Sequence, residues 1–190
     1  MTLEATLLGA LWVMLPAYLA NPAAQVTGGG LPMDFGRSGR DGRRLLGPGK
    51  TWRGLAGGCL GGLAVGALQV AAAAAVGDPA ALPTFDPGGG AAGPASFLVV
   101  GALAVGALLG DATKSWAKRR IGLERGARMP LADQYDFVLG AWLLSFAIFP
   151  AWFAASFPVE AVAFILLITF ALHRGVSRLG YRMGLKAEPW

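Results

Sequence analysis

Residues 95–120 read ASFLVVGALAVGALLGDATKSWAKRR, and this stretch decides the fold class. Up to Gly110 it carries no charged side chain, so it is apolar enough to enter a bilayer as a helix. Asp111 then introduces a negative charge, and the stretch ends in the consecutive cations Lys118, Arg119 and Arg120. An apolar helix that ends in charges of both signs indicates a membrane protein with polar chemistry at one surface.

The composition agrees with a membrane protein. The 190 residues are 55% hydrophobic and 14% charged, whereas a soluble domain has about a quarter of its residues charged. The mean hydropathy is +0.54. Cys59 and His173 are the only cysteine and histidine, which excludes an internal disulfide and a His/Cys zinc site within one chain. A metal in this chain would have to bind to carboxylate and carbonyl oxygens, which favours magnesium.

Five segments approach the roughly 20 apolar residues that a membrane-spanning helix requires. Pro16 and Pro150 are expected to kink the first and fourth of them, because proline lacks the helical N–H donor. The first segment has no basic residues before it and no clear cleavage site after it, so we expect a retained helix rather than a signal peptide. The predicted fold is an all-α integral membrane protein, a single domain over residues 1–190 with two cytoplasmic loops. The five predicted spans are Ala5–Ala20, Gly54–Val76, a segment from about Ala95 past Asp111, Phe137–Phe157 and Val159–Leu172.

The positions of the 16 lysines and arginines predict the orientation. Six lie from Arg37 to Arg53, six lie from Lys114 to Arg128, and four follow the fifth span. Cytoplasmic loops carry the excess of Lys and Arg, so both basic loops and the C-terminus are predicted to be cytoplasmic and the N-terminus outside. The segment Gly77–Pro94, which has no basic residue, is then an outer loop, and its Gly and Pro content predicts a flexible connector without a site.

Four polar residues of the opening stretch are predicted to share one helix face. Asp111, Lys114, Ser115 and Lys118 are spaced i, i+3, i+4 and i+7, which places them on the same side of a helix. A solvated helix end with snorkelling lysines would explain the cations. It explains Asp111 less well, since this residue lies nearest the apolar core, where an ionisable side chain is costly and indicates function.

A second acidic pair opens the fourth span. Asp133 and Asp136 are spaced i, i+3, and two acids at a helix N-terminus can simply complement the helix dipole. The alternative is that Asp111, Asp133 and Asp136 converge on one or two magnesium ions. Magnesium typically binds one or two protein carboxylates together with substrate phosphates, so this alternative predicts a phosphate-containing substrate.

The first basic loop adds glycines and cations. Its sequence around GPGKTWRG (47–54) alternates glycines with Arg43, Lys50 and Arg53. Glycine-rich backbone can present N–H donors to phosphate oxygens, and the cations supply charge. The loop does not match the phosphate-binding Walker A pattern. Magnesium ligands and cations at the mouth of a membrane helix predict phosphate chemistry on a lipid, with the lipid phosphate arriving sideways from the bilayer.

Three separated motifs resemble those of the CTP-dependent lipid-phosphate cytidylyltransferases. GPGKTWRG (47–54) resembles their SPKKTxEG element, GDATKSWAKRR (110–120) resembles their GD…KR element, and DQYD (133–136) resembles their closing DRxD. MPLA (129–132) stands where the bacterial enzymes have GHGG. The length and the order of the motifs resemble the small archaeal enzymes of this group over nearly the whole chain.

The resemblance implies a substrate pair, a cofactor and a set of site residues. CTP and the bis-O-geranylgeranyl ether lipid of glycerol phosphate would give the CDP-activated lipid and pyrophosphate, with Mg²⁺ required. No covalent nucleophile is needed, because the lipid phosphate attacks the α-phosphorus directly. The implied metal ligands are Asp111, Asp133 and Asp136, with Lys114 also catalytic. The implied substrate-binding residues are Asn21, Asp34, Arg43, Lys50, Thr51, Arg53, Ser115, Lys118, Arg119 and Arg120.

Other interpretations of the sequence stay open. A diacyl phosphatidate could replace the isoprenoid lipid, because apolar spans do not distinguish acyl from prenyl chains. A transporter would require a polar path through the membrane, whereas the outer parts of the predicted spans have almost no polar side chains, and no inverted repeat is evident. Membrane lipids are expected partners and nucleic acid is not. The sequence leaves open whether the chain forms a homo-oligomer.

Overall fold

Six α-helices make up most of the described part of the chain. The structure is a computed structural model, and it describes residues 2–78, 82–88, 93–124 and 127–182. The predicted all-helical class is confirmed over these residues. The helices are α1 (Leu3–Thr27), α2 (Trp52–Val76), α3 (Ser96–Arg120), α4 (Ala132–Ile148), α5 (Pro150–Ser156) and α6 (Val159–Arg182).

Three helices are clear membrane spans by length and composition. Within the described residues, α1, α2 and α3 are each 25 residues long and apolar enough to cross a bilayer. α5 and α6 are bent by 74° at a short break and together qualify as one broken span, which gives up to four. α4 has 17 residues. The chain is therefore a helical membrane protein, and the predicted number of five crossings stays a prediction.

The predicted fourth span is divided in the structure. The sequence predicts one kinked helix from Phe137 to Phe157, but α4 begins at Ala132 and ends at Ile148, and α5 starts anew at Pro150. Phe149, between them, has φ −129° and ψ 61°. The residue before a proline is disfavoured in the helical region, and proline is well suited to the first turn of a new helix. The proline therefore ends helix α4 rather than bending it.

Glycines on one face of α2 bring it against both α1 and α3. A methyl group built at Gly58 would lie 2.9 Å from the Ala20 carbonyl oxygen, and one at Gly62 would lie 3.1 Å from that of Pro16. The same face also contacts α3, where Gly66 lies directly against Val100. As the residue number rises along α2, it falls along both neighbours, so α2 runs antiparallel to α1 and α3. Small residues permit this close approach of helices in a membrane.

α3 and α4 also pack backbone against backbone. A methyl group at Gly106 would lie 2.5 Å from the Gly140 carbonyl oxygen and 2.7 Å from the Ala141 Cα. One at Gly110 would collide with the Asp136 carbonyl oxygen. This contact fixes the axial position of α4 against α3, and it places Asp136 beside the polar end of α3.

We expect Gly106→Ala to lower the melting temperature by several degrees. The added methyl must push α4 away from α3, and such overpacking typically costs about 1–3 kcal/mol. Gly101→Ala is the matched control in the same helix, since a methyl there meets no heavy atom within 4 Å. The measurement is thermal unfolding of both variants in detergent. Equal melting temperatures would show that the α3–α4 contact does not depend on this glycine.

The loop between α2 and α3 is partly built into the core. Its described residues include Phe85, which is 1% exposed, and Thr84, whose carbonyl accepts a 3.5 Å hydrogen bond from the Trp152 indole. The expectation of a flexible connector is therefore wrong for residues 82–88, because Phe85 contributes an aromatic side chain to the hydrophobic core. This loop and the α5–α6 turn lie at one end of the bundle, and the polar residues of α3 lie at the other.

Candidate active site

The first basic loop, residues 28–51, is folded around Asp34. The Asp34 side chain is fully buried and pairs with Arg44, whose guanidinium nitrogen lies 2.6 Å from its carboxylate. The same carboxylate accepts hydrogen bonds from the backbone N–H groups of Gly36, Leu46 and Gly47, at 3.1, 3.1 and 2.9 Å. The buried Asp34 carboxylate thus connects the first half of the loop, at Gly36, with the second half, at residues 44–47. It thereby fixes the position of the GPGKT segment.

The ionisation of Asp34 follows from these contacts. The hydrogen bond from Arg44, together with those from the backbone N–H groups, holds the pKa of this carboxyl well below its usual value. A depressed pKa means that the ionised form stabilises the folded loop at neutral pH, and that this stabilisation decreases progressively as the pH falls below about 4, the usual carboxyl pKa. Asp34 is therefore a fixed charge of the loop.

Arg43 and Arg120 clamp this loop to the end of α3. Arg120 donates to the Asp41 carboxylate at 2.8 Å and to the carbonyls of Arg43 and Arg44 at 3.1 and 2.9 Å. In return, the Arg43 guanidinium donates to the Arg120 carbonyl at 3.3 Å. These contacts span 76 to 79 residues of sequence, and they place the loop directly over the polar end of α3.

Lys114 lies at the centre of the charged cluster on α3 and α4. Its ammonium is 3.1 Å from Asp111, 2.6 Å from Asp136 and 3.7 Å from Asp133. The side chains of Lys114, Asp111 and Asp136 are 17%, 19% and 6% exposed. Charges at this level of burial are tolerated when they are paired, so the three acids predicted to converge do so around a lysine.

Two more lysines complete the cluster from either side. Lys50, from the loop, pairs with the second oxygen of Asp111, and Lys118 pairs with Asp133. Lys118 also donates to the Ala127 carbonyl at 2.8 Å. Three ammonium groups therefore alternate with three carboxylates, and the cluster is close to electrically neutral as a whole.

Asp133 and Thr51 also hold the backbone. The Asp133 carboxylate accepts a 2.8 Å hydrogen bond from the Met129 N–H, which organises the turn before α4. Leu131 in that turn has φ 66°, a conformation that a non-glycine residue rarely adopts. Thr51 caps α2 by accepting a 3.0 Å hydrogen bond from the Gly54 N–H. Both residues thus position the site as well as face it.

A cavity of about 1020 Å³ opens beside the cluster. This volume is at the upper end of the range for small-molecule sites. The loop, α1, α2, α3, α4 and α6 all contribute to its wall, which is polar near the cluster and includes the apolar side chains of Leu11, Leu15 and Leu19 on α1. The charged and polar predicted site residues in the wall are Asn21, Lys50, Thr51, Asp111, Lys114, Ser115, Lys118, Arg119, Asp133 and Asp136.

Four predicted substrate-binding residues lie elsewhere in the site region. Asp34 lies beneath the loop, Arg43 and Arg120 form the clamp, and Arg53 is exposed near the start of α2. None of the four contributes to the cavity wall. Their predicted contact with substrate stays a prediction, whereas the structure shows what Asp34, Arg43 and Arg120 hold in place.

Sequence reasoning missed the part of the wall that α1 and α6 supply. Tyr18 and Thr169 join the two helices through a 2.6 Å hydrogen bond between their hydroxyl groups, and both line the cavity together with His173. Thr169 is 1% exposed. The only available signal was a threonine in the predicted fifth span and a histidine four residues later, directly after that span, and nothing in the sequence connected them with Tyr18.

The donor atoms at the cluster suit magnesium in kind. They are carboxylate oxygens, the ligands that hard divalent cations prefer. Within the described residues, no three acidic, histidine or cysteine side chains lie close enough together to hold a metal ion by themselves. An ion at this position would therefore need further oxygen ligands from substrate phosphates, which is the usual arrangement for magnesium.

Comparison with known proteins identifies related sequences over nearly the full length. The family model described as CarS-like, CDP-archaeol synthase, matches residues 3–190. The chain is 45% identical over 179 residues to a CDP-archaeol synthase of Methanosarcina barkeri and 48% identical over 180 residues to one of Methanosphaerula palustris. Each alignment covers 93% of this chain and all of the relative.

A solved structure shows the same relationship. It is that of an intramembrane enzyme for archaeal membrane lipids biosynthesis, and it superimposes with a TM-score of 0.63 at 41% sequence identity. The match covers 88% of this chain and 94% of that one. The charged cavity at the end of an apolar helix bundle and these full-length matches agree, and the chain belongs to the CDP-archaeol synthase family.

Proposed function

We propose that this chain transfers CMP from CTP to an isoprenoid ether lipid of glycerol phosphate, with release of pyrophosphate. The observation that carries the proposal is the Lys114 cluster. It joins Asp111, Asp133 and Asp136 in the wall of a cavity large enough for a nucleotide. The cavity lies at the end of helices that are apolar enough to sit in a bilayer, so a soluble triphosphate and a lipid phosphate can meet there.

The charge balance of the cluster supports a requirement for Mg²⁺. The three ammonium groups already pair with the three carboxylates, so Arg119 is the one further lysine or arginine in the described cavity wall. One guanidinium does not offset the charge of a triphosphate and a lipid phosphate together. Asp111, Asp133 and Asp136 would hold the ion, which when bound would neutralise the phosphates and the departing pyrophosphate.

In this reaction the side chains of the protein bind and orient the two substrates. An oxygen of the lipid phosphate forms a new bond to the α-phosphorus of CTP, and the bond from that phosphorus to the β-phosphate oxygen breaks. The electron pair leaves with pyrophosphate, so no side chain need act as nucleophile. Lys50, Lys118 and Arg119 bind and orient the triphosphate, and Lys114 attracts the attacking phosphate. Catalysis of phosphoryl transfer depends mainly on such positioning and electrostatic stabilisation.

The proposed membrane arrangement has five crossings. α1, α2, α3 and α4 run alternately, and α6 returns towards the cluster, so the two basic loops and the end of α6 share one end of the bundle. The 17 residues of α4 reach the lower limit for a span. With this end in the cytoplasm, the N-terminus is outside and CTP reaches the cavity directly. The predicted cytoplasmic positions of Arg125 and Lys186 lie outside the described residues.

A double-label assay tests the proposed reaction. Purified protein receives Mg²⁺, the isoprenoid lipid phosphate and CTP labelled at either the α- or the γ-phosphorus. We expect the α-label in the lipid fraction and the γ-label in pyrophosphate, with no transfer after chelation of the metal. A parallel reaction with diacyl phosphatidate tests the alternative substrate. Absence of α-label from both lipids would contradict the proposed function.

A further inference from the structure

A second cavity lies on the opposite side of the Lys114–Asp136 pair. It is a groove of about 520 Å³ between α3 and α4. Most of its wall is apolar, with Leu109 on α3 and Leu139, Leu143, Leu144 and Ala147 on α4. Leu143 is 70% exposed and Leu139 is 50% exposed, so the groove opens on the outer face of the bundle, where the acyl region of a bilayer would be.

The two cavities share only two residues of their described walls. Lys114 and Asp136 line both the groove and the larger polar cavity, and their side chains are 2.6 Å apart. This ion pair is therefore a partition between an apolar space and a polar one. The described wall of the groove contains no other charged side chain, so an amphiphile in the groove would meet a cation only at Lys114.

Two glycines lie where α3 and α4 meet beside the groove. Gly110 and Gly140 both line it, and at these positions the two helices pack backbone against backbone. The groove continues along α4 from Asp136 to Ala147, which corresponds to a rise of about 16 Å. A hydrocarbon chain can follow this length with its polar end at the partition.

We propose that this groove admits one isoprenoid chain of the lipid substrate and brings its phosphate to Lys114. The proposal rests on the function proposed above and adds the route of the lipid. The lining of the groove selects the occupant, because an amphiphile matches an apolar wall that ends at a charged pair, and of the two charges at that end only the Lys114 ammonium attracts a phosphate. The nucleotide then occupies the polar cavity on the other side of the partition.

This arrangement suits an in-line displacement. The attacking oxygen and the leaving pyrophosphate must lie roughly opposite each other across the α-phosphorus. The groove and the polar cavity meet at the Lys114–Asp136 pair from opposite sides. The lipid phosphate can therefore reach the α-phosphorus from one side while pyrophosphate leaves on the other. Lys114 can contact the attacking phosphate in the groove while its ammonium remains next to Asp111, which lines the polar cavity.

Leu143→Trp tests the groove. We expect the indole to fill it and to lower kcat/KM for the long-chain lipid phosphate about tenfold or more, since small displacements of a reacting group have large effects on rate. The KM for CTP and the rate with a short-chain, water-soluble lipid phosphate should stay at the wild-type value. The matched control is Leu68→Trp on α2, at a side chain that is 73% exposed and outside both cavities.

The alternative lipid route passes between α1 and α6, where Leu19 lines the polar cavity. Loss of long-chain activity in Leu19→Trp but not in Leu143→Trp would overturn the proposal, as would identical behaviour of Leu143→Trp and Leu68→Trp. An inactive wild type would instead contradict the proposed function itself.

A second measurement covers the case in which Leu143→Trp does not fold. In a Cys59→Ser background, an apolar thiol reagent should label Leu143→Cys more slowly when the lipid phosphate is present, and it should label Leu68→Cys at an unchanged rate. Labelling of Leu143→Cys that is unaffected by lipid phosphate would overturn the proposal.

Discussion

Lys114→Met is expected to reduce kcat about a hundredfold to a thousandfold, the range seen when one preorganised charge-stabilising group is removed. The Lys114 ammonium contacts Asp111 and Asp136, and in the proposed mechanism it also attracts the lipid phosphate. Methionine keeps the apolar stem and removes the charge. Three carboxylates are then left with two lysines, and their mutual repulsion opposes the approach of any phosphate.

The double variant Lys114→Met/Asp136→Asn separates catalysis from folding. Removing one partner of a buried ion pair is strongly destabilising because the other charge stays unpaired. We expect the single variant to melt at a lower temperature and the double variant to recover much of the loss. Activity should not recover, because the missing ammonium is not restored and Asp136 is itself a proposed metal ligand. Arg178→Met, an exposed position on α6, is the control. An active double variant would contradict the assignment of Lys114 as a catalytic residue.

The second large effect is expected for Asp111→Asn. The amide cannot neutralise Lys50 and Lys114, which the Asp111 carboxylate contacts through both of its oxygens. A neutral amide is also a much poorer magnesium ligand than a carboxylate. We expect kcat to fall at least about a hundredfold, and the Mg²⁺ concentration that gives half of the remaining activity to rise.

Asp86→Asn is the matched control for this substitution, because Asp86 lies in the loop at the other end of the bundle. Activity and the dependence on Mg²⁺ are measured for both variants under identical conditions. A variant Asp111→Asn with wild-type activity would exclude the carboxylate as a metal ligand. A large loss of activity with an unchanged Mg²⁺ requirement would leave it a role in positioning Lys50 and Lys114 only.

Periodicity accounts for the part of the site that sequence reasoning could predict. The spacing of Asp111, Lys114, Ser115 and Lys118 predicts one shared helix face, and all four line the cavity. For Asp133 and Asp136 the sequence leaves two interpretations, a helix-dipole role and convergence with Asp111, and the structure places both acids in the same cavity wall as Asp111. Helical spacing is a local property, so it can be read directly from neighbouring residues.

Contacts made by the basic loop could not be predicted in this way. Nothing local to Asp34 shows that it will pair with Arg44 and three backbone amides, and nothing local to Arg120 shows that it will meet Asp41, 79 residues away. Glycines with positive φ at 29, 30, 36, 42 and 47 decide the path of the loop. The family resemblance implies substrate contacts for Asp34, Arg43 and Arg120, and the structure adds that these side chains hold the loop in place.

A structure of this chain with CTP and Mg²⁺ bound would show whether nucleotide and lipid phosphate meet at the Lys114 cluster. The distance to measure is from the α-phosphorus to the Lys114 ammonium. We expect the triphosphate in the polar cavity, with its oxygens within hydrogen-bond reach of Lys50, Lys118 or Arg119 and its α-phosphorus facing the Lys114–Asp136 partition. A triphosphate bound away from this cavity, or an α-phosphorus turned away from the partition, would contradict this expectation.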